Sequence, residues 1–285
     1  MQRSVAATHE RVSDGVARTS SRVAIDYDVA GNGPAVLFLH GFPDSRRLWR
    51  HQVAALSTAG YRTLAPDMRG YGKSDKPRDV ASYSLLTVVT DVLAVLDDAG
   101  EERAHLVGHD WGAAVGWLVA SLFPERVLSL TAMSVGHPSC FHGAGLEQYA
   151  RSWYTFFFQF EGVAERWLSA DGWANFKRWS RHPDAEEAAA ELEASASLTP
   201  ALNWYRANFP PEFLLRTPSA LPAVEAPVMG LWSSGDKALC ESQMARSVTH
   251  VAGPWRYERV EGAGHWLQLD APDQVSALLL GFLSG

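Results

Sequence analysis

The chain has 285 residues, 47% of them hydrophobic, so one α/β domain carrying an inserted module suits it better than two equal domains. A formal charge of -7 with no basic stripe argues against a nucleic-acid partner, which would need cations to neutralise phosphates. Met1 to Ser20 lack the apolar centre of a signal peptide, no apolar run is long enough to span a membrane, and Cys140 and Cys240 have no metal-ligand spacing, so the expectation is a reduced, cytoplasmic protein without membrane, metal or cofactor.

Arg22 to Ala30 alternates like a half-buried strand, Gly31-Asn32-Gly33-Pro34 turns, and Ala35 to Leu39 is a short apolar run suited to a buried parallel strand. In the loop that follows, His40-Gly41-Phe42-Pro43-Asp44, Asp44 can cap a helix running from Ser45 towards Leu56. Tyr61 to Pro66 is the next strand. Gly72-Lys73-Ser74 after it suggests a phosphate loop, but that motif needs glycine where Asp67 stands, so the reading is rejected. Leu85 to Leu96 carries one broad apolar face of a helix that Gly100 ends. Arg103 to Val107 is again strand-like, Ala113 to Phe123 helical, and Val127 to Met133 another strand. This alternation predicts a mostly parallel sheet covered by helices on both faces.

From His137 to Pro218 the pattern changes. The apolar residues become mostly aromatic, which predicts a helical cap inserted between sheet strands; within it, Asp184 to Glu193 reads as a solvated acidic helix. Pro210, Pro211, Pro218, Pro222 and Pro227 mark the return to the core, where Pro227 to Trp232 and Trp255 to Val260 are strands and Pro272 to Leu283 a closing helix. The division expected is core over 1–136, cap over 137–218 and core again over 219–285.

Val107-Gly108-His109-Asp110-Trp111-Gly112 joins a strand to a helix with small residues two positions either side of Asp110. A turn of this kind thrusts its central side chain out at the carboxyl end of the strand, and glycines relieve the crowding. The same letters also fit a strand followed by a helix with Asp in its first turn, a common placement for the helix dipole. As a nucleophile, a carboxylate with an ordinary pKa near 3.9 is ionised without a base, which suits attack on alkyl carbon. Two more loops at strand ends complete a set: Ser233-Ser234-Gly235-Asp236 and Gly262-Ala263-Gly264-His265-Trp266. In chain order they give nucleophile Asp110, acid Asp236 and base His265, with the N–H groups of Phe42 and Trp111 as an oxyanion hole.

These stretches, with Arg69-Gly70-Tyr71-Gly72, resemble the α/β-hydrolase superfamily and, within it, the soluble-type epoxide hydrolases, over nearly all of residues 20–285. Asn203-Trp204-Tyr205-Arg206 is similar to the cap segment that carries one of that family's two epoxide-polarising tyrosines. The resemblance implies that role for Tyr205, and for Tyr154 by spacing, with Tyr149 as the rival position. It also implies the α/β-hydrolase fold, a small epoxide as substrate, an alkyl ester on Asp110 that His265-activated water hydrolyses to a diol, and no cofactor. Asp44 stands where the family usually has Glu, and Ser233 where glycine is common. The density of rings predicts Trp111, Trp153, Phe158 and Trp204 as substrate-binding residues and a bulky or aromatic epoxide as substrate. Two other functions stay open. A haloalkane dehalogenase shares the aspartate elbow, although Phe42 replaces the Asn that would hold its halide, and a non-catalytic relative would merely enclose a ligand.

Overall fold

The computed structural model describes residues 13–215 and 221–285, and its strands are β1 (Ser13–Arg18), β2 (Ala24–Ala30), β3 (Ala35–Leu39), β4 (Arg62–Pro66), β5 (Ala104–His109), β6 (Val127–Met133), β7 (Val228–Ser233) and β8 (Trp255–Val260). They form one sheet in the order β1-β2-β4-β3-β5-β6-β7-β8. β2 runs antiparallel to both neighbours, and every pairing from β4 to β8 is parallel. This is the α/β-hydrolase architecture expected. Met1 to Val12 and the expected cap-to-core junction at Pro218 lie outside the described residues.

The apolar runs are strands because both of their faces are covered. In β3, Leu37 and Leu39 join Leu106 and Leu130 on one side, while Val36 and Phe38 join Val107 and Leu231 on the other. Helices Leu85–Asp98 and Trp111–Leu122 cover the first side, and Arg50–Thr58 with Pro272–Leu283 the second. β1 is an element that the periodicity does not announce. Its side chains are mostly exposed, and Gly15 is required because a Cβ there would lie 2.3 Å from the Tyr27 ring. Backbone pairing with β2 holds it in place, with Ala17 as its buried residue.

Asp44 does not cap the first helix. That end is capped by Ser45, whose side chain accepts from the Arg47 N–H, and a short 3-10 turn (Arg46–Trp49) precedes the α-helix at Arg50. Asp44 is buried and bonded elsewhere, as described below.

Between β6 and β7 lies the helical insert, whose longer helices are Val163–Ser180, interrupted at Ala170–Trp173, then Ala185–Ala194 and Leu198–Asn208. Ala185–Ala194 buries Ala188, Ala189 and Leu192 and leaves Glu186 and Glu187 exposed. Several contacts fasten the insert to the sheet domain, among them these. The Trp204 indole donates to the Arg69 carbonyl at 3.0 Å, Asn208 accepts from the Leu85 N–H and donates to the Tyr83 carbonyl, each at 2.9 Å, and His182 bonds Asp44 at 3.0 Å. Beneath the first contact, Arg69 forms a buried ion pair with Asp91, at 2.9 Å through Nε and 2.5 Å through Nη2. Among the described residues no helix is long and apolar enough to cross a membrane.

Removing one member of a buried pair leaves the other charge without compensation. Arg69→Met is therefore expected to cost about 3–5 kcal/mol in urea unfolding. Burial already raises Asp91 above its ordinary pKa against the pull of Arg69, so without Arg69 the carboxyl protonates more readily and the deficit shrinks as pH falls. A loss under about 1 kcal/mol at neutral pH, in the range of an exposed pair, would remove the pair from the account.

Candidate active site

Asp110 occupies the turn between β5 and the helix Trp111–Leu122, with φ 53° and ψ −121°. A non-glycine residue there is strained and persists only because its surroundings fix it. Those surroundings are glycines. A Cβ on Gly108 would lie 2.4 Å from the Gly112 carbonyl oxygen, and one on Gly112 would lie 1.9 Å from that of Leu39. The start of the helix thus presses against the end of β3, and the loop after β3 is brought to the nucleophile position. The Phe42 N–H donates to Asp110 Oδ1 at 2.9 Å. Gly41 is needed beside it, because a Cβ would stand 2.2 Å from that oxygen.

The other two residues arrive on the loops after β7 and β8. His265 Nδ1 lies 2.9 Å from Asp236 Oδ2, and His265 Nε2 lies 3.7 Å from Asp110 Oδ2, so the imidazole stands between two carboxylates. Asp236 is fully buried, and its second oxygen accepts the N–H groups of Ala238 at 2.8 Å and Leu239 at 2.9 Å. Burial would raise its pKa, but His265 and these two donors bring it below the ordinary value. For His265, burial opposes the charged ring, while Asp236 and Asp110 together outweigh it and push the pKa up to about 10.

Behind this set lies a layer of supports that the motif reading does not single out. His109 Nε2 donates to the His265 carbonyl at 2.9 Å, and Ser134 Oγ donates to the same oxygen at 3.0 Å. Burial, aided by the His265 charge, lowers His109 to about 4, so it stays neutral. Asp44 Oδ2 accepts from the Trp266 indole at 2.9 Å and Oδ1 from His182 at 3.0 Å, which ties the loop after β3 to the loop of the base and to the insert. His109 and Asp44 were visible as members of their motifs. Ser134 and His182 carry no local signal.

A cavity of about 380 Å³ opens over Asp110 and His265, lined by residues of both the insert and the sheet domain. Tyr154 and Tyr205 line it, with ring centroids 5.9 Å apart in a T-shaped arrangement. Burial first, and then the Asp110 charge, pushes both phenols well above their ordinary pKa, so both stay protonated. Tyr149 does not line the cavity; its hydroxyl meets His142 Nδ1 at 2.5 Å. Of the four substrate-binding residues expected, only Trp153 is on the wall. Phe158 is fully buried behind Phe42, Tyr154 and Tyr205, and Trp204 is fully buried behind Trp111 with its indole committed to Arg69. The Trp111 ring packs among Trp204, Tyr205 and Phe209 and is not among the lining residues. Trp179 and Trp266 take up the wall instead. Ring density located the aromatic layer, but a residue buried on every side looks the same in sequence as one facing a cavity. Among the described residues no cluster of three His, Cys, Asp or Glu could hold a metal ion.

The family model described as "alpha/beta hydrolase fold" matches residues 34–272. "Epoxide hydrolase A" of Mycobacterium tuberculosis is 32% identical over 88% of this chain and 91% of its own. Among solved structures, Epoxide Hydrolase A from Mycobacterium thermoresistibile superposes with a TM-score of 0.82 at 30% identity, covering 96% of this chain and 99% of that one. A variant of an epoxide hydrolase from Bacillus megaterium, complexed with its product (R)-3-[1]naphthyloxy-propane-1,2-diol, gives 0.84 at 28% identity over 95% of this chain and 100% of that one.

The charge arrangement sets a pH expectation. The folded pKa of His265 lies above its ordinary value, so the stabilisation from its charged form is complete below about 6.5 and is lost as pH rises through about 10. Asp110→Asn removes one of the two carboxylates and should lower the His265 titration midpoint by roughly one to three pH units, read from the ring proton resonance. A midpoint that does not move would mean that Asp236 alone holds the charge.

Proposed function

Because the chain belongs to the α/β-hydrolase fold family, among its epoxide hydrolases, we propose that it opens an epoxide to a vicinal diol through an ester on Asp110. The observation that carries this reading is the division of labour on one carboxylate. Oδ1 is held by the Phe42 N–H, and Oδ2 faces His265 in a cavity that also holds two protonated phenols. Oδ2 attacks an epoxide carbon while the carbon–oxygen bond breaks. An alkoxide is a poor leaving group, and Tyr154 and Tyr205 hydrogen-bond and protonate it as it departs. Ester formation removes the Asp110 charge, one of the two that keep His265 protonated, so the ring gives up its proton, which restores the phenol that protonated the epoxide oxygen, and the neutral imidazole becomes available as a base. It then takes a proton from water, and the hydroxide attacks the Asp110 carbonyl carbon. The N–H groups of Phe42 and Trp111 stabilise the oxyanion, the released alkoxide takes the proton from His265, and the Asp110 carboxyl then passes its own proton to the imidazole, which restores the starting charges. Asp236 orients the ring and compensates its charge throughout.

The helical insert then serves as a cap over Asp110, carrying Tyr154 and Tyr205 to the cavity, and the core lies on either side of it in sequence. Phe42, Trp153, Trp179 and Trp266 on the walls support a bulky or aryl epoxide as substrate, as does the naphthyloxy diol bound to the Bacillus megaterium relative. A halide would leave without a proton, so the paired phenols favour an oxygen leaving group over the dehalogenase reading.

Single turnover in heavy-oxygen water should leave label on the Asp110 carboxylate, and His265→Gln should accumulate a protein whose intact mass is raised by one substrate. Label passing straight into the diol with Asp110 unlabelled would refute the ester.

Tyr154→Phe and Tyr205→Phe each delete one hydroxyl with little change of shape. A positioned acid contributes roughly 100- to 10,000-fold. Two donors to one oxygen compensate for each other, so each single variant should lose less than the double, which should lose nearly all ring opening. An alkylation rate in the double variant close to that of the parent protein would rule out both donors.

A further inference from the structure

The sheet ends in a strand that is paired on one side. β8 stands last in the order and bonds β7. The carbonyls of Pro254 and Val260 accept from the N–H groups of Val228 and Ser234, at 2.8 Å and 3.0 Å. Backbone groups alternate in direction along a strand, so Trp255, Tyr257 and Arg259 turn their N–H and C=O groups away from β7. Among the described residues none of these groups has a partner. Such an edge is a template for a further strand.

The side chains restrict what that strand can be. Arg256 and Glu258 project on one face, where they pair with each other at 2.7 Å and keep side chains 41% and 33% exposed. Tyr257 and Arg259 lie on the other face beside Glu241, and Trp255 packs there against Trp117. Charges on an edge ordinarily deter pairing. In a second copy of this strand they select one register instead. A twofold antiparallel pairing that joins the outward groups is centred on a single residue. Centred on Arg256 it sets that cation against its own copy, and centred on Glu258 it sets that anion against its own copy; like charges directly opposite destabilise a pair. Centred on Tyr257, each Arg256 faces Glu258 of the other copy. Registers centred further out pair only one end of the strand.

We infer that β8 is the docking edge for a second copy of this chain, joined antiparallel about Tyr257, with Arg256 and Glu258 of the two copies alternating in one cluster. This register also sets Trp255 opposite Arg259 and brings every outward N–H and C=O of the strand to a partner. β8 is parallel to the strands from β4 inward, so an antiparallel junction puts the carboxyl ends of the two sheets, and the two Asp110 cavities, on opposite edges of the joined sheet. The inference is independent of the reaction.

Sedimentation of the full chain over a range of concentrations tests it. The unaltered protein should pass from the mass of one chain to that of two, and protection of the Trp255, Tyr257 and Arg259 amides from hydrogen exchange should rise in step. Glu258→Arg sets cation against cation across the junction, and Arg256→Glu sets anion against anion. Each should raise the dissociation constant at least roughly 10-fold. Each also breaks the pairing of 256 with 258 within one strand, and two further samples separate that local effect. The double variant Arg256→Glu with Glu258→Arg should dimerise like the unaltered protein, and an equimolar mixture of the two single variants should form a heterodimer, because opposite charges again face each other. Melting curves check that each variant is folded. A protein that stays monomeric up to roughly 1 mM, a dimer indifferent to Glu258→Arg, or a mixture of the single variants that does not associate overturns the inference.

Discussion

The approach of one helix end to one strand end governs this site. Gly112 has no room for a Cβ against the Leu39 carbonyl, so the helix starting at Trp111 lies directly on the end of β3. That contact sets Asp110 in its strained conformation and puts the Phe42 N–H within 2.9 Å of its carboxylate. A longer distance would leave the carboxylate free to turn and the N–H without its acceptor. Parallel pairing of β3 with β5 makes the contact possible, because both strands end on the same edge of the sheet.

Around that contact the protein concentrates charge away from water. Asp110, Asp236 and Asp44 are all buried, and each is balanced by a different device. Asp236 has the His265 ring and two backbone donors, Asp110 has one backbone donor and the same ring at longer range, and Asp44 has the Trp266 indole and His182. His109, packed 4.6 Å from the His265 ring, remains neutral and so adds a hydrogen bond without a second cation. The imidazole of His265 is consequently the one cation placed between Asp110 and Asp236, and its charge responds to the state of either.

The central strands β3 to β7 were legible because they are buried on both faces, and the three ionisable residues were legible because each follows a strand end. What was not legible depended on partners distant in sequence. β1 is polar and owes its existence to pairing with β2. Asp44 has the local pattern of a helix cap, yet its partners are 138 and 222 residues away, and tertiary hydrogen bonds outcompeted the cap. Trp204 and Phe158 belong to the aromatic layer as expected, but three-dimensional order within that layer places Trp179 and Trp266 nearer the cavity. Periodicity reports which residues leave water; it does not report which of them border an internal space.

The anchoring of the helix Leu198–Asn208 bears on the entropy of whatever enters the cavity. Tyr205 sits between Trp204, fully buried and bonded to Arg69, and Asn208, bonded at both ends of its amide to the segment Tyr83–Leu85. Its ring is further enclosed by Phe42, Trp111 and Phe158. Fixing a side chain in this way costs conformational freedom, and here that cost falls on folding instead of on binding. A molecule in the cavity therefore meets Tyr205 already ordered, and the free energy of its own contacts is not diminished by having to immobilise the ring.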